Sequence, residues 1–324
     1  MKVLITGAGG QVGTELISDL RGRGHSVVGT DVSPRPALVP ADVPWHALDV
    51  TDAARVQYVF GSEEPQIVVH LAAILSSGGE QNPQLCYAIN MTGTYNVLEA
   101  CRRFREKPRL LFTSTIAAFG PGLPDPVPNE VSMRPTTMYG VTKVAGELLG
   151  EYYHSKYGLD FRCVRYPGLI SAGQPGAGTS DYALFMYVNG IRDGHYAAFC
   201  RADTRIPFMY MPDAIRATVE LATADRAKLK RCTYNIAAMS PRADEIAASV
   251  TAGAKRLSPP RDVKLTFDPV EWRQKILDSW PRALDDRRAR EEWGWKPHFE
   301  LEAMTKDVVP KVREMVARGL LPQE

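Results

Sequence analysis

The sequence lacks an excess of charge of either sign. Its 324 residues carry 39 Lys and Arg against 37 Asp and Glu, which gives a formal net charge of +2. Proteins that bind nucleic acid or an anionic membrane surface usually carry a basic patch or tail. The composition therefore argues against both kinds of partner, and a hydrophobic share of 44% is that of an ordinary globular protein.

Cysteine is scarce, and its spacing excludes two kinds of site. The five cysteines are odd in number, scattered and nowhere arranged as CxxC. This usage predicts reduced thiols in a cytosol rather than disulfides. No group of Cys, His and Asp shows the ligand spacing of a zinc site, so no metal is predicted.

Long hydrophobic runs are also missing. No apolar stretch approaches the roughly 20 residues that a membrane-spanning helix needs. The N-terminal stretch MKVLITGAGG reaches glycine too soon for a signal peptide. We therefore expect a soluble, cytoplasmic protein.

What the sequence does contain is an alternation of short apolar runs and helical patterns. The predicted strands are rich in Val, Ile and Leu, and lie at 2–6, 26–30, 66–73, 109–115 and 161–166. Helical patterns lie near 11–23, 83–105 and 139–157. Strands and helices in this order predict the α/β class, with a doubly wound parallel-sheet Rossmann domain.

The second half of the chain predicts a smaller mixed C-terminal lobe for the substrate. Two segments of this half are irregular or mixed, and between them a helix (211–222) and a strand (232–238) are predicted to return to the sheet. The predicted Rossmann domain is 1–172 and 208–238, and the substrate-binding lobe is 173–207 and 239–324.

A glycine-rich turn predicts a dinucleotide site. The heptad GAGGQVG (7–13) follows the first strand directly and opens a helix. Glycine permits the tight turn and lets backbone N–H groups approach a pyrophosphate, which the helix N-terminus also attracts. Glycines in such a turn can also serve packing alone, so the position between strand and helix carries the prediction.

Asp31 predicts which dinucleotide is bound. It ends the second strand, where a carboxylate accepts hydrogen bonds from the adenosine ribose and repels a 2′-phosphate. This favours NAD over NADP. Arg35 lies close by and argues the other way. Asp31 could also simply initiate the turn before SPRP, as Asp commonly does.

The pentapeptide YGVTK predicts proton transfer. It places Tyr139 and Lys143 one turn apart on one helix face. A neighbouring ammonium and an oxidised nicotinamide lower the pKa of a phenol from its ordinary value near ~10. Tyr139 is then able to remove a proton from an alcohol. Thr115 or Ser114 at the preceding strand end could orient the reacting oxygen, although threonines also simply favour strands.

Together these motifs resemble the extended short-chain dehydrogenases/reductases of the epimerase/dehydratase branch. The resemblance rests on TGAGGQVG, Asp31, HLAA (70–73), Asn90 in NMTGTYNVLEA, STIAAFG and YGVTK, and covers nearly the whole chain. It implies a catalytic trio of Thr115, Tyr139 and Lys143, and a dimer formed through a four-helix bundle. The NAD contacts that it implies are Gly7, Gly10, Gln11, Val12, Gly13, Asp31, Asp49, Val50, Leu71, Ala72, Ala73, Asn90, Tyr139, Lys143, Tyr166, Pro167 and Leu169.

Two departures narrow the reaction within that branch. Dehydratases of the family carry acidic residues directly after the catalytic threonine, whereas Ile116 and Ala117 follow Thr115 here. Sugar-nucleotide epimerases usually show an NVYGP-like turn after the sixth strand, where this chain has RYPGLIS (165–171).

RYPGLIS, GTSDYALFMY (178–187) and DTRIPFMYMPDAIRATVEL (203–221) are similar to the short-chain type of L-threonine 3-dehydrogenase. That resemblance implies oxidation of the threonine β-hydroxyl by NAD to give 2-amino-3-oxobutanoate. Asp181 would then pair with the substrate ammonium. The other implied substrate contacts are Ser76, Ser114, Thr115, Tyr139 and Thr179. Glycines 176 and 178 would let this segment fold over the substrate.

Three alternatives stay open at the level of sequence. Thr179, Ser180 or Asp181 could each simply cap the helix that follows. A sugar-nucleotide epimerase would hold NAD tightly and release no net NADH. A dinucleotide-sensing regulatory protein would bind cofactor without turnover, although such proteins tend to lose the tyrosine and lysine that are present here.

Overall fold

A seven-stranded parallel sheet lies at the centre of the computed structural model, which describes residues 1–173 and 178–321. The strands of the described chain are β1 (Lys2–Thr6), β2 (Ser26–Asp31), β3 (Trp45–Ala47), β4 (Ile67–His70), β5 (Arg109–Thr115), β6 (Phe161–Tyr166), β7 (Gly168–Ile170), β8 (His195–Ala198), β9 (Phe208–Tyr210), β10 (Thr233–Asn235) and β11 (Lys264–Phe267). The central sheet has the order β3-β2-β1-β4-β5-β6-β10, and each neighbouring pair is parallel.

Helices cover both faces of this sheet. The α-helices of the described chain, including those of the C-terminal lobe, are α1 (Gln11–Gly22), α2 (Ala53–Glu63), α3 (Ser76–Gln81), α4 (Pro83–Tyr87), α5 (Thr94–Arg102), α6 (Met138–Tyr157), α7 (Tyr182–Asp193), α8 (Met211–Thr223), α9 (Ala243–Lys255), α10 (Glu271–Asp278), α11 (Arg287–Trp293) and α12 (Leu301–Ala317). None of the described helices is both long and apolar enough to cross a membrane.

Alternate residues of the strands fill two separate cores. In β1, Val3 and Ile5 pack with α1 and α8 on one face, while Leu4 packs with α2 and α5 on the other. Successive side chains of a strand point to opposite faces, so a strand covered on both sides reads as a continuous apolar run. This is why KVLIT and QIVVH predicted a parallel sheet correctly, and the doubly wound fold is confirmed.

The order of the strands reverses between β1 and β4. From β1 the chain crosses to β2 and β3 on one side, and from β4 it crosses to β5 and β6 on the other. The loops at the carboxyl ends of β1 and β4 therefore diverge and leave a crevice between them, which is where open α/β sheets bind ligands.

A third core lies outside the sheet. It is formed mainly by α7, α9 and α12, beside the two-stranded sheet of β8 and β11. As predicted, the chain returns to the central sheet before this lobe is complete, since β10 pairs with β6. The division at 173, 208 and 239 stays a prediction, and its residues 174–177 and 322–324 lie outside the described part.

The sequence did not predict the edge strand β3, and the structure also differs from the expectation in two of its helices. Helix α2 was not predicted, although Asp52 caps it by accepting from the Arg55 N–H and Val56, Val59 and Phe60 bury one face. The helix expected over 83–105 is interrupted by a wider, π-type turn at Ala88–Gly93. That turn contains Asn90, whose amide binds a neighbouring loop.

Candidate active site

A cavity of about 580 Å³ opens at the carboxyl ends of the central strands, at the point where their order reverses. Most of the residues predicted for NAD and for catalysis line it: Gly7, Gly10, Gln11, Val12, Gly13, Asp31, Asp49, Val50, Leu71, Ala72, Ala73, Thr115, Tyr139, Lys143, Tyr166, Pro167 and Leu169. Of the residues predicted for the substrate, Ser76, Ser114 and Asp181 also line it, whereas Thr179 and the cofactor residue Asn90 lie behind its wall.

The glycine-rich turn forms a cradle that side chains would fill. Gly7 has a φ of +68°, and a Cβ there would lie 2.6 Å from the Ala72 nitrogen. A Cβ on Gly13 would lie 2.6 Å from the Ala8 carbonyl oxygen. Gly10 is the N-cap of α1 and offers no side-chain cap, and the first turn carries no acidic residue. The helix N-terminus at the cavity is therefore suited to an anion such as a pyrophosphate.

Asp31 is the last residue of β2 and lies next to the glycine-rich turn. Its carboxylate accepts from the Gly9 N–H at 2.9 Å and from the Ser33 N–H at 3.0 Å, and the side chain lines the cavity. Arg35, the residue that argued for NADP, instead donates to the Ala41 carbonyl at 2.7 Å. The carboxylate rather than the guanidinium therefore faces the cavity, as an adenosine ribose with a free 2′-hydroxyl requires.

Tyr139 and Lys143 lie on the first turns of α6, which Thr137 caps by accepting from the Gly140 N–H at 3.1 Å. Both side chains are buried except where they line the cavity. The Thr115 hydroxyl lies close enough to the Tyr139 phenol to lower its pKa. The Lys143 ammonium donates to the Thr113 carbonyl at 2.7 Å and lies 5.6 Å from the centre of the Tyr139 ring.

Burial shifts the pKa values of both groups toward their neutral forms. It raises the pKa of Tyr139 above its ordinary range, and the Thr115 hydrogen bond only partly counters that. It lowers the pKa of Lys143 to about 8. The lowered Tyr139 pKa expected from YGVTK is therefore not produced by the protein groups alone, because desolvation of a phenolate outweighs them.

His70 is a neutral residue beneath this site. Burial lowers its pKa to about 3, with a further contribution from the Lys143 charge. Its two ring nitrogens lie 2.7 Å from the Thr6 hydroxyl and 3.0 Å from the Thr94 hydroxyl. Both nitrogens are thus occupied, and the side chain is structural.

The hydroxyls predicted for the substrate carboxylate contact each other. The Ser76 oxygen lies 3.0 Å from the Thr179 oxygen and accepts from the Thr179 N–H at 3.0 Å. The Ser77 oxygen lies 3.3 Å from the same Thr179 hydroxyl. Thr179 is fully buried. These bonds fasten the start of α3 to the turn at Thr179–Asp181.

Asp181 lines the cavity and makes no capping hydrogen bond to the helix that follows it. Its carboxylate instead accepts from the Gly178 N–H at 2.9 Å, which closes the short turn at Thr179–Asp181. Ser180 lines the cavity too, and no side-chain hydrogen bond caps α7. Gly176 of the predicted glycine run lies outside the described residues.

Two predicted contacts are used differently in the structure. The Ser114 hydroxyl donates to the Glu147 carboxylate, whereas the Thr115 hydroxyl lies next to the phenol and acts on its pKa. The Asn90 amide accepts from the Ile74 N–H at 2.8 Å and donates to the Ile74 carbonyl at 3.0 Å. Asn90 therefore fixes the loop after β4 rather than lining the cavity, because the π-type turn directs it there.

Trp280 lines the cavity just after the end of α10. Glu147 contacts the strand end that carries Thr115, and the motifs did not indicate it. Glu147 lies two turns after Tyr139 on α6, so helical spacing alone could have placed it on the same face.

Comparison with known proteins identifies the family of this chain. Residues 3–237 match the model of the NAD dependent epimerase/dehydratase family. The chain belongs to this family. The family description names NAD, the cofactor whose pyrophosphate and ribose the turn and Asp31 suit. Among residues 1–173 and 178–321, no three His, Cys, Asp or Glu side chains lie close enough together to hold a metal ion.

Several family members are similar over nearly the full chain. The mitochondrial L-threonine 3-dehydrogenase of Bos taurus is 42% identical over 304 residues, covering 93% of this chain and 79% of that protein. A solved monomeric L-threonine 3-dehydrogenase from a metagenome matches with a TM-score of 0.90 and 37% identity, covering 97% of this chain and 99% of that one. The GalE-like L-threonine dehydrogenase of Cupriavidus necator in its holo form matches with a TM-score of 0.88 and 39% identity, covering 96% and 99%.

These similarities set the class of reaction. The protein is an NAD-dependent dehydrogenase of the short-chain type, and its substrate is a small molecule. The cavity agrees with that class, since it brings together a strand-end hydroxyl, a phenol and an ammonium beside a dinucleotide cradle.

Proposed function

We propose that this protein oxidises the β-hydroxyl of L-threonine with NAD, giving 2-amino-3-oxobutanoate and NADH. The observation that carries the proposal is the placement of Asp181 on the same cavity as Thr115, Tyr139 and Lys143. A carboxylate there provides a counter-ion for an amino group next to groups suited to oxidising an alcohol. Relatives that share 37–42% of their residues with the chain carry the name L-threonine dehydrogenase.

The protein would hold NAD with the groups already described. The backbone N–H groups of the turn at 7–13 would bind the pyrophosphate, Asp31 the adenosine ribose, and Lys143 the nicotinamide ribose. Asp49 and Val50 would flank the adenine, and the segment Tyr166–Leu169 would lie along the nicotinamide. The bound cofactor supplies the hydride acceptor.

Tyr139 would act as the general base in this reaction. As phenolate it takes the proton of the substrate hydroxyl, while Thr115 donates a hydrogen bond that orients the reacting oxygen. Burial raises the pKa of Tyr139, so the phenolate requires nearby positive charge. Lys143 supplies such a charge in its protonated form, and its own pKa of about 8 leaves that form predominant at neutral pH.

The ammonium and the carboxylate of threonine would find chemically matched partners at the other end of the cavity. Asp181 would pair with the ammonium, which a partly desolvated charge requires. Ser76 lines the cavity and would donate to the carboxylate, with Thr179 next to it. Threonine binding then exchanges one hydroxyl–hydroxyl contact for a stronger, charge-assisted one.

An NADH absorbance assay tests the proposed function. NADH should form with L-threonine, much less with D-threonine or L-serine, and a chelator should not change the rate. UDP-sugar conversion without net NADH release would instead favour a sugar-nucleotide epimerase. Cofactor binding without turnover on any amino acid would favour a dinucleotide-sensing protein.

We further propose that two copies pair through α5 and α6. Tyr95, Val141, Leu148 and Tyr152 are about half exposed, and the three on α6 are spaced to lie on one helix face. Apolar side chains grouped in this way indicate an interface. One solved relative is described as monomeric. Sedimentation of the wild-type protein and of the Leu148→Asp variant tests this pairing. A wild-type dimer that the variant dissociates supports it, and a wild-type protein that is monomeric at every concentration refutes it.

The division into domains is proposed on the basis of the three cores. Residues 1–172 and 208–238 contain every strand of the central sheet, and the third core draws mainly on 173–207 and 239–324.

A cytoplasmic location is proposed from the five free, buried cysteines. The bovine relative is named as mitochondrial, so compartments can differ between relatives.

A further inference from the structure

An ion pair lies buried behind the proposed catalytic groups. Glu147 follows Tyr139 by two turns and Lys143 by one turn on α6, and it pairs with Arg165 of β6. The side chains of Glu147 and Arg165 are 2% and 6% exposed. Arg165 Nε and Nη2 donate to the two carboxylate oxygens, with the shortest contact 2.7 Å.

The pair belongs to a set of contacts that joins α6 to the end of β5. Three successive residues of β5 each contact one residue of α6. The Thr113 carbonyl accepts from Lys143, the Ser114 hydroxyl donates to Glu147, and the Thr115 hydroxyl lies close enough to the Tyr139 phenol to lower its pKa. Glu147 therefore holds the middle residue of the three, with a contact to a reacting group on either side of it.

Arg165 is anchored on its other side. Its Nη1 donates to the Asn129 carbonyl at 2.7 Å and to the Asn235 side-chain oxygen at 3.0 Å. The guanidinium also lies 4.9 Å from the centre of the Phe119 ring. These contacts hold the Arg165 guanidinium in place, and the pair connects the site to β10 through Asn235.

Stability alone does not explain such a pair. Taking two charges out of water costs several kcal/mol per ion, and well-packed apolar residues of the same volume often do as well or better. The geometry instead suggests a role beside Lys143, because the carboxylate lies one helical turn from that ammonium and is neutralised by Arg165.

We propose that Glu147 and Arg165 are positioning residues for the reaction: as a neutral, hydrogen-bonded pair they fix the end of β5 against α6 and leave Lys143 to set the charge beside Tyr139. This inference rests on the proposed function for its kinetic consequences. Its electrostatic part concerns only residues of this chain and can be measured without substrate or cofactor.

The other titratable groups near Lys143 are neutral, so the charge that acts on its ammonium comes from the Glu147–Arg165 pair. The titratable groups that act on the ammonium are His70, Cys86, Tyr139, Glu147 and Cys163. His70 is neutral because its pKa is lowered to about 3, and burial raises the pKa values of both thiols and of the phenol. Among these described groups, the carboxylate of Glu147 with its partner Arg165 is therefore the one that forms an ion pair.

Three variants distinguish an electrostatic effect of the pair on Lys143 from a purely structural one. Glu147→Gln keeps an oxygen that can accept from Ser114 but leaves Arg165 uncompensated, which adds one positive charge. Arg165→Met leaves Glu147 uncompensated, which adds one negative charge. The double variant is neutral again. The Lys143 titration is followed by NMR of ¹³C-labelled lysine, with its resonance identified by its absence in Lys143→Arg.

We expect the Lys143 midpoint to fall by about one pH unit in Glu147→Gln and to rise by a similar amount in Arg165→Met, from a unit charge acting within the protein. The double variant should return it close to the wild-type value. In the NADH assay, the acidic limb of kcat should move in the same two directions. Each single variant should lose roughly tenfold in kcat, the size of about 1.4 kcal/mol of lost transition-state positioning, with a smaller change in KM.

Glu292→Gln is the matched control. Glu292 is also buried and paired, with Arg231 at 2.9 Å, but it lies on α11 away from the cavity. This variant should lower the thermal midpoint without moving the Lys143 titration. If Arg165→Met does not fold, Glu147→Gln alone decides the direction of the shift.

The inference is overturned if Lys143 titrates at the wild-type pH in Glu147→Gln, or if both single variants shift it the same way. A structural role would produce that result together with a lower melting temperature. If the shifts occur as expected and L-threonine gives no NADH, the proposed function fails while the role of the pair stands.

Discussion

The proposed cofactor end and the proposed substrate end of the cavity are built from different parts of the chain. The cofactor end consists of strand ends and the backbone of one turn, where Gly7 and Gly13 have no room for a Cβ. The substrate end consists of side chains from three distant segments, at Ser76, at Thr179–Asp181 and at Trp280. Backbone geometry thus fixes the first, and side-chain hydrogen bonds fix the second.

Because of this difference, we expect the two ends to respond differently to amino-acid substitutions. A backbone cradle tolerates little alteration but serves any ligand with the same phosphate chemistry. Hydroxyls that bind each other, such as Ser76 and Thr179, can exchange partners at low cost, since one hydrogen bond replaces another. Specificity for a small substrate is therefore expected to depend on few side chains.

The largest expected effect is at the junction of the two ends. Tyr139→Phe removes the proposed base and should lower kcat by about 10²–10⁴, the range for loss of general base catalysis. NAD affinity should change little, because the phenyl ring keeps the packing. Stopped-flow measurement of NADH formation and a fluorescence titration with NAD check the two halves of this prediction. Turnover close to that of the wild type would remove the assignment of Tyr139.

Asp181→Asn tests the substrate end by itself. Asparagine keeps an oxygen for the Gly178 N–H but loses the charge, so the turn should survive. We expect kcat/KM for L-threonine to fall by roughly 10–100-fold, the value of a hydrogen bond to a charged group. NAD binding serves as the internal control. An unchanged kcat/KM would show that Asp181 only caps the turn.

Gly13→Ala tests the cofactor end. Its Cβ would meet the Ala8 backbone at 2.6 Å, so we expect a loss of about 1–3 kcal/mol in the free energy of unfolding, as for other overpacked sites. NAD affinity should fall with it. Gly10→Ala is the matched control, because its Cβ meets only the Gly7 oxygen at 3.4 Å. Equal effects in the two variants, measured by urea unfolding, would contradict the cradle.

Ser76→Ala should have the smallest effect of the four. It removes the partner of the Thr179 N–H and hydroxyl, while Ser77 still contacts that hydroxyl. We expect KM for L-threonine to rise about three- to tenfold, as for one neutral hydrogen bond. Ser77→Ala should change KM less, because Ser77 does not line the cavity. The reverse ranking in steady-state kinetics would assign the carboxylate contact to Ser77.

Local sequence predicted those parts of the fold and site that depend on local geometry. The apolar runs of β1 and β4 placed the parallel sheet, and the glycines at 7 and 13 placed the cradle. YGVTK placed Tyr139 and Lys143 on one face of α6. The π-type turn at Ala88–Gly93 escaped this reasoning, because a helical apolar pattern does not show where one extra residue enters a turn.

The sequence by itself determined most strands of the central sheet, the dinucleotide turn and the helix face with its phenol and ammonium, because each depends on neighbours within a short stretch of the chain. Only the tertiary structure decided that Ser114 binds Glu147, that Asn90 supports Ile74, and that burial raises the pKa of Tyr139. Those outcomes depend on which distant groups meet and how much water they exclude, and no local pattern records either.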